Sequence, residues 1–332
     1  MDYEDVSEAT MELREMADFE YRPESSMNKV TVTTILGKVE AGHHAILSGA
    51  PGTGKTKLML ELKKRLESEG RMGVFRLIQF HPQYSYQDFV DGYEPDGTGF
   101  KPREGAFRSF VAEVQERLES EGSDSVKVDV LAIDELNRAD VSSVFGEVMT
   151  LLDDSDKKSV TTAKSQKPLT LPRSVFILGT MNTADKSIAL MDFALRRRFS
   201  ILFIPPDYSG LLIWLNEYGF AFSDFTVNSY VDSIKVLNKR IAAHPLLGKG
   251  MMLGQSFFVP KKRDKSPFSL DEITSCMSEM VIPQLESYLG FGAQPELDKL
   301  IGIDLRKKAE TALPIDCNDI VGLVSTLSDS KE

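Results

Sequence analysis

The chain has 332 residues, more than the usual single domain, so two domains are expected, one of them large enough for a full α/β core. Apolar residues make up 42% and charged residues 27%, which excludes fibrous and collagen-like classes and leaves little room for extensive disorder. A formal charge of -11, from 39 Lys and Arg against 50 Asp and Glu, opposes general binding to a phosphate backbone, so contact with DNA is expected to be local or through a partner.

Residues 1–25 read as an acidic N-terminal extension with helical spacing at Met11, Leu13 and Met16, closed by Pro23 and the pair Ser25-Ser26. It lacks a basic segment followed by an apolar one, and no run in the chain approaches the length of a membrane span, so a cytoplasmic protein without a membrane partner is expected. "HHAILSGAPGTGKTKLMLELKKRLESEG" predicts a strand, a glycine-rich turn and an amphipathic helix with Leu58, Leu62 and Leu66 on one face. A second strand follows in "MGVFRLIQF", a long helix in "EGAFRSFVAEVQERLESEG", and a third strand in "VKVDVLAID". The near-continuous apolar character of that third strand suits burial on both faces. "VSSVFGEVMTLLDD" predicts a further helix, Lys157 to Pro172 an exposed hairpin or loop, "RSVFILGTMN" a fourth strand and "FSILFI" a fifth. Strands alternating with helices argue for a parallel sheet covered on both faces. After Pro205-Pro206 apolar residues recur at helical spacing in "LLIWLNEYGF", "YVDSIKVLNKRI" and "EITSCMSEMVIPQLESYL". The expected division is therefore a nucleotide-binding α/β domain over 26–205 and a helical domain over 206–332.

Gly49-Ala50-Pro51-Gly52-Thr53-Gly54-Lys55-Thr56 satisfies G-x-x-x-x-G-K-[ST] between a strand and a helix, the context this phosphate loop requires. Glycines let the backbone turn so that successive N–H groups point at phosphate oxygens, and the following helix N-terminus adds partial positive charge. Lys55 is expected to reach the β and γ phosphates, and the Thr56 hydroxyl to take one Mg²⁺ position. Asp134-Glu135 ends the third apolar strand. Nucleotide hydrolysis needs a carboxylate near Mg²⁺ and another group to orient or deprotonate the attacking water, so Asp134 is the metal-side candidate and Glu135 the water-side candidate. Cys276 and Cys317 lack C-x-x-C spacing and a histidine cluster, which argues against a zinc site or a disulfide framework and fits small buried residues in a reducing compartment.

The phosphate loop, Asp134-Glu135 and Asn182 at the end of the fourth strand resemble the AAA+ nucleotide hydrolases, in which an asparagine at that strand end senses the γ-phosphate and positions water. More narrowly, "FHPQYSYQDFVDGYEP", "IDELNRADVSSVFGEV", "GTMNTADKSIALMDFALRRRFS" and "LGQSFF" resemble the McrB family, the GTP-dependent motor subunits of modification-dependent restriction systems. The resemblance implies an AAA+ P-loop fold, with a five-stranded parallel sheet flanked by helices and a smaller α-helical lid. It also implies a GTPase that assembles as a ring, usually a hexamer, with each nucleotide at a subunit boundary. In such rings a cation from one protomer enters the neighbour's site, and at least one of Arg196, Arg197 and Arg198 is expected to act in this way.

Asn182 and Asp185 share the Asn-x-x-Asp spacing of the guanine-reading motif of small GTPases, but a residue beside the γ-phosphate does not also read a distant base. Asn182 is therefore assigned to the phosphate end, and Asp185 to an interface or a structural role, such as capping a helix starting near Ser187. The aromatic stretch around His81 suits packing or a protein interface, and lies near the nucleotide and the subunit interface in the family. His81 itself is expected to make a structural hydrogen bond rather than act as a base. The sequence departs from the family at Gln255, where Gly-His-Ser is more usual, and retains Ser256. Arg240 and Arg306 are the candidates for a lid arginine.

Long family members carry an amino-terminal DNA-reading domain, whereas the residues before Gly49 here are too few and too acidic to form one. A motor-only form, a part of a longer protein, and a system whose other subunit supplies specificity all fit this. No clustered acids with a Lys suggest a nuclease, so cleavage is expected from a McrC-like partner, with DNA reached through the assembled complex or a separate specificity domain. Two other readings are a MoxR-like AAA+ ATPase that remodels protein complexes, which predicts ATP preference, and a nucleotide-gated assembly scaffold.

Overall fold

The computed structural model describes residues 30–310, 315 and 319–320, apart from 98, 123–125, 154–158, 186–192, 224–225, 261–265 and 291. The helical spacing expected within 1–25, the helix expected near Ser187 and Cys317 lie outside the described residues. The described chain forms two compact units, one of residues 30–48 and 55–204, the other of 49–54 together with 205 onward.

The first unit opens with α1 (Val32–Glu40), an element the sequence pattern did not announce, capped by reciprocal bonds between Thr31 and Thr34. There follow β1 (His44–Gly49), α2 (Lys55–Ser68) and β2 (Met72–Gln79). The aromatic stretch then folds into a single turn, α3 (Tyr86–Phe89), and a hairpin of β3 (Asp91–Pro95) with β4 (Phe100–Glu104). α4 (Ala106–Glu121) leads to β5 (Val128–Asp134). The helix expected over 141–154 is two short pieces, α5 (Val141–Phe145) and α6 (Val148–Leu151). The break falls at Gly146, whose φ of 48° leaves the right-handed helical region. β6 (Val160–Thr161) and β7 (Pro168–Leu169) pair antiparallel as the expected hairpin, and β8 (Val175–Asn182), α7 (Phe193–Arg196) and β9 (Phe199–Phe203) complete the unit.

β1, β2, β5, β8 and β9 form one five-stranded sheet in the order β2-β5-β8-β1-β9, with parallel registers between β1 and β9, β2 and β5, and β5 and β8. This is the expected parallel sheet. Its central strands are largely apolar because both faces are covered. Ala45, Leu47, Val130, Ala132, Phe176 and Leu178 face α1 and α2, while Ile46, Leu131, Ile133 and Ile177 share the opposite core with residues of α4 and α5. Phe80 and Phe89 are fully buried there, with ring centroids 5.7 Å apart and edge to face, and Phe89 lies 4.6 Å from Phe145. The aromatic stretch thus serves packing. His81 is exposed, and among the described residues its ring meets that of Tyr84, 5.5 Å away and nearly perpendicular, rather than making the structural hydrogen bond expected of it.

The second unit is helical: α8 (Tyr208–Tyr218), α9 (Val227–Ala243), α10 (Leu270–Cys276), α11 (Ile282–Leu289), α12 (Gln294–Ile301) and α13 (Ile303–Glu310). The helix expected over 272–289 is continuous but passes through a π-helical turn at Met277–Val281, just before Pro283, which has no N–H to continue an α-helical ladder. Cys276 is buried with a free thiol, and burial pushes its pKa up to about 12, so it stays a neutral packing residue. Among the described residues no helix is long and apolar enough to cross a membrane.

Candidate nucleotide site

The carboxyl end of β5 carries the two acids. The backbone leaves the strand at Glu135 in the left-handed conformation, φ 54° and ψ 43°, before a 3₁₀ turn over Leu136–Arg138. A bulky residue is rarely held there, and such outliers concentrate where a side chain must be aimed. Thr180 of β8 holds both acids in register. Its hydroxyl donates to Asp134 Oδ1 at 2.5 Å, and its Oγ1 accepts the Glu135 N–H at 3.0 Å. Thr56, in the first turn of α2, donates to Asp134 at 3.2 Å to Oδ1 and 3.4 Å to Oδ2.

These contacts suit a cation shared by Thr56 and Asp134. A hydroxyl and a carboxylate already within hydrogen-bonding distance offer two adjacent oxygens, and Mg²⁺ commonly takes one or two protein oxygens and completes its shell with phosphates and water. Among the described residues no group of three or more His, Cys, Asp or Glu side chains is arranged to hold a metal by itself.

Lys55 begins α2, and burial lowers its pKa to about 8, against the opposing pull of Glu135, Asp134 and Asp185. Glu135 is half-buried, and desolvation raises its pKa while the Arg138 guanidinium, 3.5 Å from its carboxylate, draws it back. Arg138 lies the same 3.5 Å from Asp185. Lys55, Glu135, Arg138 and Asp185 thus form one group of alternating charges, in which Asp185 pairs with Arg138 as a structural residue.

Asn182, the last residue of β8, is gripped by Asn137: the Asn137 Nδ2 donates to the Asn182 carbonyl at 3.0 Å, and the Asn182 N–H donates to Asn137 Oδ1 at 3.4 Å. Its own Oδ1 accepts the Ala184 N–H at 3.1 Å, which leaves the amide NH₂ as the end available to a phosphate oxygen or a water. Sequence reasoning missed Thr180, Asn137 and Arg138. Thr180 lies two residues before Asn182 and therefore on the same face of the strand, and Asn137 and Arg138 follow Glu135 within one turn.

The arginine run is not uniform. Arg198 is 6% exposed and donates to Asp153 Oδ2 at 2.6 Å, whereas Arg197 is 66% exposed and only 3.7 Å from the other oxygen of the same carboxylate. Arg196 is intermediate in exposure. Arg198 is engaged within its own fold, and Arg197 is the member presented to solvent.

In the other unit, the phosphate loop passes through Gly52 and Gly54 at φ of 76° and 90°, the left-handed region glycine adopts without strain. The Thr53 hydroxyl donates to the Ala50 carbonyl at 3.0 Å and tightens the turn, with Thr53 itself buried. The lid-arginine candidates are both engaged among the helices, Arg240 donating to the Leu300 carbonyl at 2.8 Å and Arg306 to Asp298 at 2.6 Å.

Residues 44–199 match the family model of the AAA domain of the dynein-related subfamily, and residues 229–294 match that of the McrB α-helical lid domain. The chain is 33% identical over 294 residues to the type IV methyl-directed restriction enzyme EcoKMcrB subunit of Escherichia coli K12, an alignment covering 82% of this chain and 60% of that protein. It is 27% identical over 199 residues to the YdiS component of the type II restriction enzyme BsuMI of Bacillus subtilis 168, covering 48% of this chain and 56% of that one. The chain thus spans somewhat over half the length of each of these relatives.

Proposed function

Because the chain belongs to the McrB family of AAA+ proteins, with the AAA domain of a nucleoside triphosphate hydrolase, we propose that it is a cytoplasmic, ring-forming GTPase whose turnover drives or licenses DNA cleavage by a McrC-like nuclease partner. The observation that carries the hydrolytic reading is the chain of contacts Thr56–Asp134–Thr180–Glu135, in which one threonine bonds both the metal-side carboxylate and the backbone N–H of the half-buried water-side acid. The restriction context rests on the relatives, and the division into a nucleotide-binding domain over 26–205 and a lid over 206–332 belongs to the same proposal.

Gly49, Pro51, Gly52, Thr53 and Gly54 shape the loop around the phosphates, and Lys55 places a cation against the β and γ oxygens. Thr56 and Asp134 would hold Mg²⁺, which would neutralise charge on those oxygens. Glu135 orients a water and accepts its proton as the water oxygen attacks the γ-phosphorus and the bond to the β-phosphate oxygen breaks, leaving GDP and phosphate. Burial raises the proton affinity of Glu135, which favours this role. Asn182 turns its NH₂ toward the same water or the γ-oxygens. A neighbouring protomer contributes a cation from Arg196, Arg197 or Arg198, and the exposure of Arg197 supports it over Arg198.

The test is binding and hydrolysis of GTP and ATP side by side, with assembly followed by light scattering in the same samples. GTP preference with nucleotide-dependent assembly is the expected result. ATP preference would put the MoxR-like reading ahead, and binding with negligible turnover would favour the scaffold.

A further inference from the structure

The motif "LGQSFF" has no part in the chemistry above, yet its backbone lies directly on the phosphate loop within the unit that contains both. The Gly254 N–H donates to the Pro51 carbonyl at 2.9 Å, the Ser256 N–H to the Gly52 carbonyl at 3.2 Å, and the Gln255 side-chain Nε2 to the Thr53 carbonyl at 3.0 Å. Three consecutive loop carbonyls are therefore held from one side. In a trans peptide the C=O and the following N–H point in opposite directions, so fixing these three carbonyls turns the N–H groups of Gly52, Thr53 and Gly54 to the other side. Those are amides that a loop of this pattern presents to phosphate oxygens.

The approach is so close that a Cβ at Gly254 would overlap the Gly52 carbonyl, and one at Gly52 would meet Ser256 and Phe257. The gripping segment is itself anchored at both ends on α9. Buried Asn238 bonds both the N–H and the carbonyl of Leu253, at 2.8 and 2.9 Å, and the buried Tyr230 hydroxyl donates to the Phe258 carbonyl at 3.0 Å.

Gln255 adds a side-chain contribution to this grip, and it uses both ends of its amide. While Nε2 donates to Thr53, Oε1 accepts the N–H of Asp207 at 3.1 Å, and Asp207 caps α8, its Oδ1 accepting the Gly210 N–H at 3.0 Å. We propose that Gln255 is a positioning residue that ties the start of the lid to the Thr53 carbonyl and so orients the phosphate-facing amides of the loop. It acts through the loop and touches no reacting atom. The inference rests on the reading of this loop as the nucleotide site. It requires a side chain with one donor and one acceptor, which histidine also supplies through its two ring nitrogens and glutamate does not.

The experiment titrates the full chain, and its Gln255→Glu, Gln255→Ala and Gln255→His variants, with fluorescent GTP and ATP, and records the melting of each nucleotide-free protein. Gln255→Glu keeps the acceptor for Asp207 but sets a carboxylate against the Thr53 carbonyl. It is expected to weaken binding of the preferred triphosphate roughly 10-fold, about 1.4 kcal/mol, with melting close to the parent. Gln255→Ala is expected to weaken it several-fold, and Gln255→His to stay within about threefold of the parent. Parent-like affinity in both Gln255→Glu and Gln255→Ala, or a Gln255→His as weak as Gln255→Ala, would overturn the proposal while leaving the nucleotide reading intact. A parent that binds neither nucleotide would remove that reading, and this inference with it.

Discussion

The buried cation of the phosphate loop makes nucleotide affinity a function of pH in a range where most lysines stay charged. Burial brings the Lys55 pKa to about 8 in the nucleotide-free protein, from an ordinary value of 10.5. A triphosphate seated against the ammonium favours its charged form, so binding is strongest when the proton is already present and must recruit it when it is not. With a free-protein pKa of about 8, roughly three quarters of Lys55 is protonated at pH 7.5 and about a tenth at pH 9. Affinity should therefore fall about eightfold over that interval, or about 1.2 kcal/mol, as long as the bound-state pKa lies above it. Isothermal titration across pH 7.5 to about 9, in two buffers of different ionisation enthalpy, measures both the affinity and the proton taken up. Lys55→Ala, which should lose nucleotide binding, serves as the control. The sign for folding is separate: the unfolded chain keeps the Lys55 proton up to its higher pKa, so between pH 8 and 10.5 it binds more protons than the native state, and this group makes the nucleotide-free protein more stable as pH rises through that window. An affinity unchanged between pH 7.5 and 9, with no proton uptake near pH 8.5, would refute the buried-cation argument.

Glu135→Gln should retain nucleotide binding and lower turnover by about 10²- to 10⁴-fold, the range for a lost general base, and unchanged turnover in a single-turnover assay would remove Glu135 from the chemistry. The arginines should separate by phenotype. Arg198→Ala breaks its bond to Asp153 and should cost roughly 1–3 kcal/mol of stability, seen as an earlier denaturant midpoint, whereas Arg197→Ala should leave the midpoint unchanged and lower turnover of the assembled protein. Mixing Arg197→Ala with Lys55→Ala protomers tests action in trans, because restored turnover requires the two defects to fall on different sides of one shared site.

Local chemistry made the nucleotide-binding half readable in advance. Gly49 to Thr56 carries its own turn and helix start, the apolar run into Asp134-Glu135 marks a strand buried on both faces, and all five strands of the parallel sheet stand near where their periodicity placed them. Such signals survive in the sequence because they depend on neighbours within a turn or a strand. The helix break at Gly146 and the π turn at Met277 were not readable, since they depend on a glycine at positive φ and a proline inside otherwise good apolar spacing. Nor were the partnerships that aim the site. Thr180 reaches Asp134 and Glu135 only because β5 and β8 are neighbours in the sheet, and Arg198 differs from Arg197 because the fold buries one and leaves the other exposed beside the same Asp153 carboxylate. Gln255 finds Thr53 across 202 residues of chain. Which elements form is largely a matter of local periodicity and turn chemistry, which the sequence carries by itself; which polar groups meet is decided by how strands and helices pack, and only the tertiary structure holds that information.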